Sequence, residues 1–347
     1  MQNNRYIMYA QRESNFELLR IIAILLVLIL HADFYALEGP TANDIINSPT
    51  DSMLRILFQA IAIVAVNVFV MISGWFAINP SKKGLINLIF QILFYSILIY
   101  VGAVCFKFVP FTIKGMKDLI LATSSNWFIK AYLQLYILSP VLNCFVKQAS
   151  KSEFELILIG FFVFQTIYGW LFPSSTYYIA GGYSPFSFIG IYLLARYVRK
   201  HRPKWTRCSV RTYCITYFIM ILCITAICFT PPMCIGIHTM YVYNLFTYVS
   251  PTTIGVALLM ILITSKLTIN SSIVNRLASS SFAVYLVFVN PNILKSYGNF
   301  FKVLHNEFQG GYYWLITLGI VILLYIVVAC FDTIRLIIWK RLSTKTS

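Results

Sequence analysis

Ten apolar runs, most of them close to twenty residues long, divide this chain into spans joined by short polar loops. About twenty apolar residues are what an α-helix needs to cross the hydrocarbon core of a bilayer. Every backbone amide in that core must be paired within the protein, and a helix does so within itself. The expected fold is therefore all-α: a polytopic membrane helix bundle of about ten transmembrane helices. The spans are expected at residues 16–37, 54–78, 85–106, 126–146, 154–172, 185–197, 212–229, 243–265, 277–294 and 312–339. The sixth and ninth are short and rich in small or polar residues. Hydrophobic residues make up 59% of the chain and charged ones 11%, with a mean hydropathy of +0.77. No soluble domain of this size is that apolar. Nothing marks a second domain, so residues 1–347 read as one transmembrane unit.

Lys and Arg number 27 against 11 Asp and Glu, a net charge of +16. In a soluble protein that balance would suggest nucleic acid. Here the basic residues lie in short loops and read as topology determinants, with the bilayer as the partner and no nucleic acid. With the N-terminus in the cytoplasm, 20 of the 27 fall on the inner side, among them Arg5, Arg12, Lys82, Lys83, the run 196–211, Lys340, Arg341 and Lys345. Both termini are accordingly expected to be cytoplasmic. A half-polar stretch, 107–125, is expected along the membrane interface. A basic inner surface also suits a polyanionic ligand such as a phosphorylated cofactor. The eight Cys form no C-x-x-C pair and read as small core residues. No Cys/His or H-E-x-x-H spacing is present, so no metal site is expected. No glycine-flanked elbow surrounds Ser73 either.

The chemistry concentrates at residues 12–35. Arg20 and His31 are eleven residues apart, which is three helical turns, so they share one face about 16 Å apart along the axis. Glu17, one turn before Arg20, is placed to pair with it. Ionisable groups are costly in hydrocarbon and mark function by default. The structural alternative is that Arg20 snorkels to the interface and His31 closes the far end. His31 is the one His inside a clear span, since His201 falls in the basic inner loop and His238 and His305 in outer loops. A partly buried neutral imidazole suits a general base near neutral pH. Asp33 points to a different face. Later spans hold almost no carboxylates, which speaks against proton-coupled transport.

Arg20-x10-His31, preceded by Glu17, resembles the first helix of the acyltransferase-3 family of bacterial membrane acyltransferases. Three further motifs fit in order. The run Asn67 to Phe76, with Ser73-Gly74 in it, is similar to the family's F-F-x-x-S-G-[YF]. Trp127-Phe128 with Tyr132, Tyr136 and Ser139-Pro140 is similar to its W-[FY]…Y-x-x-x-P span. Ser281-Phe282 with Tyr285-Leu286 is similar to its S-[FY]-x-x-Y-L segment. Two departures stand out. Val287, Phe288 and Val289 occupy places where many relatives carry His, and the third span offers Lys82 and Lys83 where many carry several Arg.

The resemblance implies a membrane O-acyltransferase of the bacterial cytoplasmic (inner) membrane. It would move an acyl group, acetyl first of all, from acyl-CoA to a hydroxyl of a cell-surface glycan or lipid-linked saccharide. Acyl-CoA would be a co-substrate, with no permanently bound cofactor. Arg20, Lys82 and Lys83 are the candidate phosphate contacts, and Ser73-Gly74 would let the pantetheine arm approach the backbone. His31 is the candidate base and Asn67 a candidate oxyanion donor. Glu17, Trp127, Tyr132, Tyr136 and Tyr285 are supporting residues. Each has a plain alternative: topology anchoring for the lysines, an interfacial belt for Trp127, and close helix packing for Ser73, Gly74, Asn67 and the tyrosines. The competing class is a transporter or flippase of a lipid-linked glycan with His31 as proton relay. No lectin-like aromatic cluster is visible in the sequence.

Overall fold

The computed structural model describes residues 13–113, 115–116, 126–173, 179–235 and 244–345. Arg5, Arg12, residues 117–125 of the expected interfacial stretch and His238 lie outside them. The described residues form helices and connecting turns, as the long apolar runs require. Eight of these helices are long and apolar enough to cross a membrane.

Helix α1 (Ser14–Leu30) runs into a wider π turn at His31–Tyr35. A short capped helix, α2 (Ala42–Asn47), leads to α3 (Pro49–Ala62) and α4 (Ala65–Phe76). Then come α5 (Lys82–Cys105), α6 (Trp127–Gln148) and α7 (Lys151–Gln165). They are followed by α8 (Pro185–His201), α9 (Val210–Ile235) and α10 (Pro251–Thr264). The chain ends in α11 (Ser272–Ala278), α12 (Ser281–Phe288), α13 (Pro291–Glu307) and α14 (Gly310–Lys345).

Two expected spans differ. The sixth, α8, has only 17 residues, and much of it is buried, so neighbours rather than lipid surround it. The ninth is not one rod. The stretch Ser272–Phe288 and α13 meet at 85°. The bend falls at Asn290-Pro291: proline lacks an N–H and pushes the residue before it out of the helical region. The Asn290 side chain then caps the new helix through the Asn292 N–H at 3.0 Å.

The centre of the bundle is α1 with α3 and α4. Their spans are 61% and 72% buried, against 22% for α5 and for Lys151–Leu171 at the rim. The rim helices therefore turn most of their apolar surface to lipid. Helix α4 packs on α8, α1 and α10. At Gly74 the α4 and α8 backbones touch: a Cβ there would stand 2.5 Å from the Tyr192 carbonyl oxygen. Small residues at such crossings are what lets helices pack closely in a membrane.

Candidate active site

The site begins where α1 changes pitch. His31 is the first residue of the π turn, and its ring Nδ1 lies 2.7 Å from the Val27 carbonyl oxygen one turn below. A carbonyl oxygen only accepts, so Nδ1 carries the proton and the neutral ring keeps its lone pair on Nε2. Donors from other helices meet carbonyls near the pitch change: Tyr297 Oη donates to Leu28 O and Tyr313 Oη to Ala32 O, both at 2.9 Å. Such pitch changes are frequent at functional sites. The turn is pinned a second time from α3. Arg55 Nε donates to Asp33 Oδ1 at 2.7 Å and Arg55 Nη2 to the Glu38 carbonyl. Both side chains of this pair are buried. Arg55 is thus an internal strut, and Asp33 serves Arg55 rather than the imidazole.

His31 faces a cavity of about 500 Å³ bounded by Leu30, Phe34, Tyr35, Asn126, Trp127, Tyr183 and Tyr248, with Val289, Pro291 and Leu294 from the bent pair. Three rings make one corner of it. Trp127 meets Tyr183 edge-on at 4.6 Å and Tyr248 at 5.5 Å, and the two tyrosines are 5.2 Å apart. The sequence hid this aromatic box because Trp127, Tyr183 and Tyr248 come from three separate stretches. Asn126, at the head of α6, accepts from Tyr285 Oη at 2.7 Å with its Oδ1, which also caps Ile129 N at 3.4 Å. Among the described residues that line this cavity none is an Asp, Glu, Lys or Arg.

A second cavity, of about 480 Å³, lies toward the start of α1. It is bounded by Glu17 and Arg20 of α1, Phe69 and Ser73 of α4, Asn87 and Gln91 of α5, Tyr132 of α6, Ser281 and Phe282 of α12, and Arg335 and Trp339 of α14. Glu17 Oε1 accepts from Arg20 at 2.8 Å. Arg335 donates twice to Asp332, at 2.6 and 2.8 Å, and Tyr95 Oη donates to the same carboxylate at 2.6 Å. An Arg–carboxylate fork of this kind is strong and directional. By charge alone Arg335 would count as one more basic residue near the end of the last span. It is instead a buried guanidinium on the wall of the cavity that Arg20 also lines. Val27, Val66, Phe128 and Tyr285 bound both cavities, so the two meet back to back at that wall.

The expected site residues divide. His31, Trp127 and Tyr285 line the outer cavity, and Glu17, Arg20, Ser73, Tyr132 and Tyr285 the inner one. Ser73 Oγ donates to Phe69 O at 3.0 Å and stands 3.3 Å from Tyr132 Oη. The others sit elsewhere. Gly74 packs against α8 and lines neither cavity. Asn67 is fully buried, donates to the Tyr248 carbonyl at 2.9 Å and borders neither cavity. Tyr136 Oη accepts from Ser81 N at 3.1 Å and ties the start of α5 to α6. Lys82 and Lys83 stand exposed on the first turn of α5, outside either lining. The residues that sequence reading missed are Arg335, Asn126, Tyr183 and Tyr248. Arg335 carried one signal, an Asp-x-x-Arg spacing inside an otherwise apolar span.

An all-α bundle with a tautomer-fixed imidazole in one cavity and guanidinium groups in the next defines a polytopic membrane protein built around a polar interior. The chain belongs to the acyltransferase-3 family: the model of that family's acyltransferase domain matches residues 13–332. It is a multi-pass membrane acyltransferase. No curated protein and no solved structure matches it.

Proposed function

We propose that the protein transfers an acyl group, acetyl in the simplest case, from acyl-CoA to a hydroxyl of a cell-surface glycan or lipid-linked saccharide at a bacterial cytoplasmic membrane. The observation that carries this reading is the shared wall. The His31 cavity and the Arg20/Arg335 cavity abut at Val27, Val66, Phe128 and Tyr285. A thioester entering past the guanidinium groups would end at that wall, and a hydroxyl entering by the aromatic box would end beside His31. Guanidinium groups suit phosphate oxygens. Aromatic rings with an asparagine, and no charged group among the described lining residues, suit the flat apolar face and hydroxyls of an uncharged sugar ring.

His31 Nε2 takes the proton as the acceptor oxygen attacks the thioester carbonyl. The tetrahedral intermediate collapses, the carbon–sulfur bond breaks, and the thiolate recovers the proton from Nε2. The products are the ester and free coenzyme A, and His31 ends as it began. Glu17 keeps Arg20 in position. Asn67, in this scheme, positions Tyr248 rather than touching the reacting carbonyl, because it borders neither cavity.

The test uses purified full-length protein with acetyl-CoA and a saccharide acceptor, following thiol release and ester mass. His31→Ala is expected to lower transfer by about a hundredfold or more, the usual weight of a general base, with donor binding kept. Transfer at the wild-type rate in that variant would remove His31 from the mechanism.

A further inference from the structure

The inner cavity holds polar groups that the scheme above leaves unused. Asn87 and Gln91 sit one turn apart on α5, about 6 Å along its axis, and both line the cavity. Asn87 Oδ1 and Gln91 Nε2 are buried and have no hydrogen-bond partner among the described residues, and the same holds for Glu17 Oε2. Gln91 is only 7% exposed. A buried acceptor and a buried donor left unpaired are each costly, and more so within an apolar bundle. Leucine or alanine would carry no such cost on this helix, whose remaining residues past Lys83 are almost all apolar. A carboxamide offers a donor nitrogen and an acceptor oxygen without a charge. Two of them a turn apart match a ligand that carries amides in series along a flexible chain.

We infer that Asn87 and Gln91 bind the amide-bearing pantetheine arm of the acyl-CoA donor, each carboxamide pairing with one amide of the arm. The inference rests on the donor assignment made above and adds a specificity site to it. Arg20 and Arg335 border the same cavity and would meet the phosphates. The α5 pair fixes how far the arm extends, and so where the thioester stops relative to the shared wall. This is a positioning role, since neither residue touches the reacting carbon.

Binding to the full-length protein in detergent separates the possibilities. The ligands are coenzyme A, its nucleotide half (adenosine bisphosphate, which lacks the arm) and acetylpantetheine, which lacks the nucleotide. Wild-type protein is expected to bind coenzyme A about tenfold more tightly than the bisphosphate, the worth of one or two hydrogen bonds. Acetylpantetheine is expected to compete with coenzyme A. Asn87→Leu and Gln91→Leu should each weaken coenzyme A by about fivefold while leaving the bisphosphate affinity unchanged. The unchanged bisphosphate affinity also certifies the fold. Variants that bind coenzyme A as the wild type does would overturn the inference. If the variants fail to fold, the wild-type series decides, and equal affinity for coenzyme A and bisphosphate overturns it. Wild-type protein that binds neither overturns the acyl-CoA reading itself, and the inference with it.

Discussion

One carbonyl decides which nitrogen of His31 is available. Val27 O holds Nδ1, and the free Nε2 follows from that contact alone. Arg20 and His31 were legible in sequence because both sit in one apolar run, where a single ionisable residue stands out. Arg55 and Arg335 were not. Each lies near the end of its span and reads as one more topology cation until its partner is known, and Arg55 meets Asp33 across 22 residues of chain. Breaking that buried pair leaves a charge stranded. Arg55→Met is expected to cost about 3–5 kcal/mol, read as a lowered unfolding midpoint in detergent. Pairing it with Asp33→Leu should return part of that loss, because the uncompensated carboxylate is then gone.

Helices were legible from the lengths of the apolar runs, and even the 85° bend has its signal in Asn290-Pro291. What the runs do not state is which face of a helix meets which neighbour. A run that is apolar all round carries no stripe to orient it. That is why Gly74 read as an opening for a ligand and proves to be the contact with α8. Two glycines make the contrast testable. Gly74→Ala places a Cβ 2.5 Å from the Tyr192 oxygen, and the shift needed to relieve it should cost about 1–3 kcal/mol. Gly160, within α7, has nothing within 4 Å of its would-be Cβ. Gly160→Ala should instead gain about 0.5–1 kcal/mol from helix propensity. Both are measured by thermal unfolding of the same preparation.

Across the whole molecule, the outer cavity is assembled from α1, the head of α6, the turn before α8, the turn before α10 and the bent pair. Sequence distance conceals that convergence. Trp127→Ala is expected to raise the acceptor KM by about tenfold, the scale of a lost aromatic contact in a pocket, with coenzyme A affinity unchanged. A change in donor affinity instead would move Trp127 to the other side of the wall. That wall has a thermodynamic corollary. Under the proposed function, four side chains would bound two ligands at once, so any displacement of Phe128 or Tyr285 caused by one ligand would be felt by the other. Linkage then requires the influence to be mutual: whatever factor a bound thioester applies to saccharide affinity, the saccharide returns to the thioester undiminished.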